Sequence, residues 1–199
     1  MPRAKQRTPE LRAELLNAAA GVLAEGGPAS VTTRAVATRA ATSPPAIYEL
    51  FGDKSGLVRA LFFEGFRRLQ ARYDELEPGE DPVADLRRVV DAFRAFATAE
   101  PHLFEVMYSR PFAEFEPGPE ELAIGASTRG AFVEAITRCI DAGELRGDPV
   151  DIAHGLLALA GGLVTQETAG WLGSTPESIE RRWEAAVSAF LRGNGAGQS

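Results

Sequence analysis

Thr32-Thr33-Arg34-Ala35-Val36-Ala37 and, after a short gap, Ala40-Ala41-Thr42-Ser43-Pro44-Pro45-Ala46-Ile47-Tyr48-Glu49-Leu50-Phe51 read as two short helices separated by a tight turn. Thr32 and Ser43 stand at the positions where a hydroxyl caps a helix start, and Pro44 sits where a missing N–H does no harm. Val36 and Ala37 point inward from the first helix, and Ile47, Leu50 and Phe51 from the second. A pair of this size and order is a helix-turn-helix.

The same punctuation runs outward in both directions. Thr8-Pro9, Asp81-Pro82, Asp148-Pro149 and Thr175-Pro176 repeat the capping residue plus proline, and apolar residues follow each at three- and four-residue spacing. Sustained period-two alternation is missing, so the chain is expected to be all-α. A first helix runs from about Pro9 to Glu25, with Leu11, Leu15, Ala18, Ala19 and Val22 on one face, and stops at Gly26-Gly27-Pro28. Gly52-Asp53-Lys54 opens a long helix to about Glu75. Later helices are expected over about 82–99, from Pro101, and over 119–142, 149–171 and 176–192, with an irregular loop at 110–119 and a disordered tail from Gly193.

Composition narrows the chemistry. The 199 residues are 45% apolar and 25% charged, as in an ordinary globular protein. There is no apolar run near the ~18 residues that span a bilayer, and no signal-like start, so a cytoplasmic protein without membrane contact is expected. One cysteine, Cys139, excludes an internal disulfide framework and reads as a small buried apolar residue; with two histidines, neither a metal nor a cofactor is expected. Asp151 and His154 form a single carboxylate-x-x-His pair, which di-iron bundles need twice. The net charge is −7, but residues 1–60 carry eight basic and five acidic groups while the remainder carry 13 and 23. A mildly basic head therefore precedes an acidic body.

The segments quoted above, with Asp53-Lys54-Ser55-Gly56-Leu57, resemble the N-terminal domain of the tetracycline-repressor (TetR) family of transcriptional regulators over roughly residues 9–66. The spacing Tyr48, Phe51, Lys54, Leu57 carries most of that likeness. Ala41 stands where the family often has glycine, and Glu49 where it often has histidine or arginine. The resemblance implies an N-terminal three-helix helix-turn-helix domain (1–58) joined by a long helix to a C-terminal helical bundle (59–199) that dimerises and has room for a ligand.

Thr32, Thr33, Arg34, Ser43, Tyr48 and Lys54 can donate to phosphate oxygens of double-stranded operator DNA, assisted by two helix N-termini with free N–H groups. Pro44, Pro45 and Ala46 would face the bases and offer apolar contact suited to a thymine methyl. Tyr48 is open to a second reading as a core aromatic, and Lys54 as a solvated residue.

Phe93, Phe96, Phe104, Met107, Tyr108, Phe132 and Trp171, with Gln166 as a polar handle, are the expected lining for a small apolar or aromatic effector, although aromatics at helical spacing equally serve as core. The helix at 149–171 is apolar around nearly its whole circumference and must be covered on both sides. With the helix after it, it forms the expected homodimer surface, where Ala158, Gly161 and Gly162 permit close approach. The leading expectation is a ligand-released repressor and no enzyme. A constitutive DNA-binding regulator without effector and a small helical-bundle enzyme remain as alternatives, the latter without a nucleophile-base pair or phosphate loop to support it.

Overall fold

A computed structural model of the chain describes residues 8–109, 111–113 and 115–196. The basic residues Arg3, Lys5 and Arg7 and the last three residues of the tail lie outside the described residues. The elements are α1 (Pro9–Gly26), a 3-10 turn (Pro28–Ser30), α2 (Thr33–Arg39), α3 (Pro44–Phe51), α4 (Lys54–Asp74), α5 (Pro82–Ala99), α6 (Pro101–Tyr108), α7 (Pro119–Thr128), α8 (Gly130–Asp141), α9 (Pro149–Thr168) and α10 (Pro176–Gly193). Among the described residues there is no β-strand, only an isolated bridge between Leu145 and Gly195.

Packing divides the chain into two compact units, 1–68 with 100–124, and 69–99 with 125–199. These limits differ from the sequence division at residue 58, because α6 and the loop after it pack with the N-terminal helices. His102 of α6 lies against Gly27, and Phe115 meets Phe62 of α4 with ring centroids 5.4 Å apart. In this first unit Leu15, Leu23, Val31, Val36, Ile47, Leu57 and Leu61 form a fully buried core. That core fixes α1, α2 and α3 as one body.

The second unit is a bundle of α5, α8, α9 and α10 around Phe93, Phe96, Phe132, Ile136, Leu156 and Trp183. Arg94 stacks 4.6 Å from the Trp183 ring and donates to Glu167 (2.8 Å) and Glu180 (2.7 Å), joining α5 to the end of α9 and to α10. Cys139 is buried, and burial pushes its thiol up to about 11, so it is an inert packing residue.

Three sequence expectations change. The helix expected over 119–142 is two, because Arg129 and Gly130 tighten the backbone between α7 and α8, with the Phe132 N–H donating to Arg129 C=O at 3.0 Å. The helix expected to reach 171 ends at Thr168, and Gly170 at φ +75° turns the chain so that the Trp171 N–H donates to Gln166 C=O at 2.7 Å. The tail is ordered as far as it is described: the Arg146 N–H donates to Asn194 C=O at 2.9 Å and the Ala196 N–H to Glu144 C=O at 3.1 Å.

Candidate nucleic-acid interface

The turn between α2 and α3 is made by a left-handed residue. Ala41 has φ +51°, and the Thr42 N–H reaches back to Ala37 C=O at 2.9 Å, closing α2. Glycine adopts this conformation freely, whereas a Cβ makes it costly. Ala41→Gly is therefore expected to raise the unfolding free energy by roughly 0.5–1 kcal/mol, after the extra chain entropy of glycine is subtracted. Urea midpoints measure this directly. A midpoint that does not rise would mean the turn carries no strain.

The two helix starts differ. The Thr32 hydroxyl accepts from the Ala35 N–H at 3.1 Å, as expected of a cap. Ser43 occupies the same position before α3, yet its side chain makes no capping bond. The reason is chemical: Pro44 and Pro45 have no N–H, and the Ala46 N–H is already taken by the Ser43 carbonyl at 3.0 Å. The expectation of several free N–H groups at both helix starts therefore fails at α3. The signal was present in the sequence as two adjacent prolines.

The side chains expected at DNA are gathered on the outer surface of the first unit. Thr32, Arg34, Ser43, Pro44 and Pro45 are exposed, and Thr33, Ala46 and Lys54 half-buried. Tyr48 is 51% exposed, which removes the core-aromatic reading, while its neighbour Ile47 is fully buried and anchors the helix. Glu49 is exposed on the same helix. The Lys54 ammonium lies 5.4 Å from the Phe112 ring centroid, so part of its charge is spent within the unit. Asp53 accepts from the Gly56 N–H at 2.8 Å and caps α4.

The residues expected to line a ligand cavity are divided between the two units. Phe104, Met107 and Tyr108 belong to the first unit, where Phe104 and Tyr108 stack with centroids 4.7 Å apart. Met107 fills the space left by Gly65, at which a Cβ would come within 2.5 Å of its sulfur. Phe93, Phe96 and Phe132 are sealed in the core of the second unit, the Phe93 and Phe132 rings meeting edge to face at 6.0 Å. Gln166 is exposed, and Trp171, 79% exposed past the end of α9, does not join Phe96 and Phe132 in a wall. The second unit does contain a recess, lined by none of these eight residues, between the end of α4, the start of α5, and α8.

Among the described residues no group of three or more His, Cys, Asp or Glu is placed to hold a metal ion. His154 instead faces Arg129, with Nε2 2.9 Å from the guanidinium. No helix among the described residues is long and apolar enough to cross a membrane.

Residues 86–190, more than half of the chain, match the family described as tetracyclin repressor-like, C-terminal domain. The chain belongs to the TetR family. Residues 15–61, which run from within α1 through α2 and α3 into α4, match the family described as bacterial regulatory proteins, tetR family. A curated relative, an HTH-type transcriptional regulator of Mycobacterium tuberculosis, is 25% identical over 144 residues, which is 69% of this chain and 60% of the relative. The chain thus spans less than two thirds of the length of the curated relatives it matches.

Among solved structures, a protein of unknown function from Rhodococcus sp. RHA1 superposes with a TM-score of 0.81 at 28% identity, covering 98% of each chain. A tetR-family bacterial regulatory protein from Rhodococcus RHA1 shares the fold, with a TM-score of 0.70 at 22% identity over 96% of this chain and 100% of that one. These likenesses agree with the all-α architecture of a TetR-family helix-turn-helix followed by a helical bundle.

Proposed function

We propose that this TetR-family chain is a sequence-specific transcriptional repressor that binds double-stranded operator DNA as a homodimer and leaves it when a small effector occupies the body. The observation that carries the reading is the outward face of α3, with Pro44, Pro45, Tyr48 and Glu49 exposed, as is Arg34 on α2, while Ile47 is locked in the core. Residues 1–58 act as the DNA-binding domain and 59–199 as the effector-binding and dimerisation domain. The protein works by binding, in the cytoplasm, and needs neither metal nor cofactor.

Within that reading Thr32, Thr33, Arg34, Ser43, Tyr48 and Lys54 hold phosphates and set register. Pro44, Pro45 and Ala46 present an apolar surface to thymine methyls, and Glu49 is suited to accept from cytosine N4. The two prolines leave α3 without a main-chain donor at its first turn, so phosphate contact falls on side chains and on α2.

The test is to capture genomic fragments with the purified protein, sequence them, and titrate the resulting duplex by fluorescence anisotropy. A near-palindromic site is expected, with affinity falling steeply as salt rises. Arg34→Ala is expected to weaken all duplexes about equally and to lower the salt slope by about 1 per half-site. A change in base preference at one position, with the slope intact, would remove Arg34 from phosphate contact.

A further inference from the structure

The recess in the second unit has a volume of about 110 Å³. Its apolar side is made by Leu76, Val89, Ala131 and Ala135, and its polar wall by Asp85, Arg88 and Arg138. That wall is rigid. Asp85 is 6% exposed and accepts from the Gly79 N–H at 2.9 Å and from both guanidiniums. Arg88 also donates to the Glu77 carbonyl at 3.1 Å, and Arg138 to the Gly79 carbonyl at 2.9 Å.

The donor and acceptor counts do not balance across this wall. Each guanidinium carries five N–H groups, of which these bonds use two, while the single carboxylate between them is fully engaged. Two guanidiniums on one buried carboxylate leave unused donors beside an apolar floor. Glu77 and Glu134, also at the recess, are exposed and screened by water and salt, as is Arg88, whereas Arg138 is half-buried and Asp85, already held by both arginines, is buried.

We propose that the recess binds a small organic anion: a compact apolar body seated on Leu76, Val89, Ala131 and Ala135, with one carboxylate taken by Arg88 and Arg138. An engineered apolar cavity of roughly 150 Å³ accepts benzene, so a single ring of about six heavy atoms is the right scale for this smaller, open space. Fork-shaped guanidiniums held in place by other bonds are suited to a planar carboxylate. The inference rests on the reading of the body as effector-binding, and moves the site from the aromatic core to the junction of the α4–α5 loop with α8. A carboxylate there takes the N–H groups left free by Asp85 and by the Glu77 and Gly79 carbonyls, so the arginines that hold the α4–α5 loop also hold the ligand.

Benzoate is the probe, with benzamide and benzylamine as neutral and cationic isosteres, titrated into the full-length protein by calorimetry and ligand-detected NMR. Benzoate is expected to bind at millimolar concentration or better and both isosteres at least about tenfold more weakly. Arg88→Gln should weaken benzoate about tenfold, and Glu134→Gln, which removes a like charge, should tighten it about threefold. Ala131→Leu should fill the recess and abolish binding with the melting temperature unchanged. Binding of benzylamine or benzamide as tight as that of benzoate overturns the ligand class, and benzoate binding that survives Ala131→Leu overturns the site. Operator release is scored separately: benzoate that occupies the recess without releasing DNA sinks the effector reading and leaves the site. Another compound that releases DNA from Ala131→Leu as from wild type does the reverse.

Discussion

Gly162→Glu is expected to convert the dimer to monomers and to remove operator binding. Gly162 is exposed on α9, and a Cβ built there or at Gly161 meets nothing within 4 Å of its own chain. Ala158 is exposed beside them and Leu157 and Leu163 are half-buried, so one side of a largely apolar helix stays uncovered in the single chain. Small residues there let a second copy approach closely. In a two-fold interface each substitution counts twice, so two carboxylates are desolvated together. A penalty of about 3 kcal/mol in total raises the dimer dissociation constant roughly a hundredfold.

Within the protomer the same substitution is favourable, because glycine inside a helix costs about 1 kcal/mol relative to a good helix former. Folding and assembly should therefore separate: circular dichroism should report an intact helical protein, and sedimentation velocity a monomer. Paired heads reach successive major grooves about 34–36 Å apart only as a dimer, so anisotropy should show operator affinity falling with the loss of assembly. A variant that sediments as an intact dimer would put the interface elsewhere.

The sequence was most legible where local chemistry decides the outcome. Capping residues followed by proline located the starts of α1, α3, α5, α9 and α10, because each start needs only its own residues. The exposed face of α3 was legible for the same reason: Ile47 and Tyr48 are neighbours, and a helix period sends one inward and the other out. The sequence was least legible where packing decides. Phe93 and Phe132 satisfy both a ligand wall and a core pattern, and only the edge-to-face contact between α5 and α8 separates the two. Trp171 looked like part of a helix until Gly170 turned the chain. The Asp85 cluster joins residues 53 positions apart, so its one local trace is the Asp85 and Arg88 pair one turn apart on α5. The missing donors at Pro44 and Pro45, by contrast, required only a count of N–H groups.

The second large effect is expected at Glu64, a buried carboxylate on α4 that is 6% exposed. It accepts from Arg67 (2.7 Å from Nε) and Arg68 (2.7 Å from Nε), and Arg68 donates further to Glu100 at 2.9 Å and Asn17 at 3.3 Å. One side chain thereby links α4 to α1 and to the residue preceding α6. Glu64→Ala leaves Arg68, largely buried itself, with one counter-charge fewer. The expected loss is roughly 2–3 kcal/mol, below the full cost of breaking a buried pair because Arg67 is mostly exposed and contributes little. For a chain of this size that is about 5–10 °C in melting temperature.

Glu64→Gln keeps the shape and one acceptor and should lose about half as much. The pH dependence gives an independent check on the charge. Burial alone would raise the Glu64 carboxyl, but hydrogen bonds from Arg67 and Arg68 outweigh it and hold it below the ordinary value of 4.5. The folded state thus binds the proton less tightly than the unfolded chain. Its contribution is fully present above about pH 4.5 and is lost as pH falls through the lower folded value. Asp85 and Glu121 are also lowered, against their burial, first by main-chain N–H groups and then by their arginine partners, and add to the acid sensitivity, whereas Asp91, pushed up by burial, opposes it. Melting curves between pH 3 and pH 7 should therefore fall less steeply on the acid side for Glu64→Gln than for wild type. Parallel curves would mean that Glu64 stabilises α4 through packing and neutral hydrogen bonds alone.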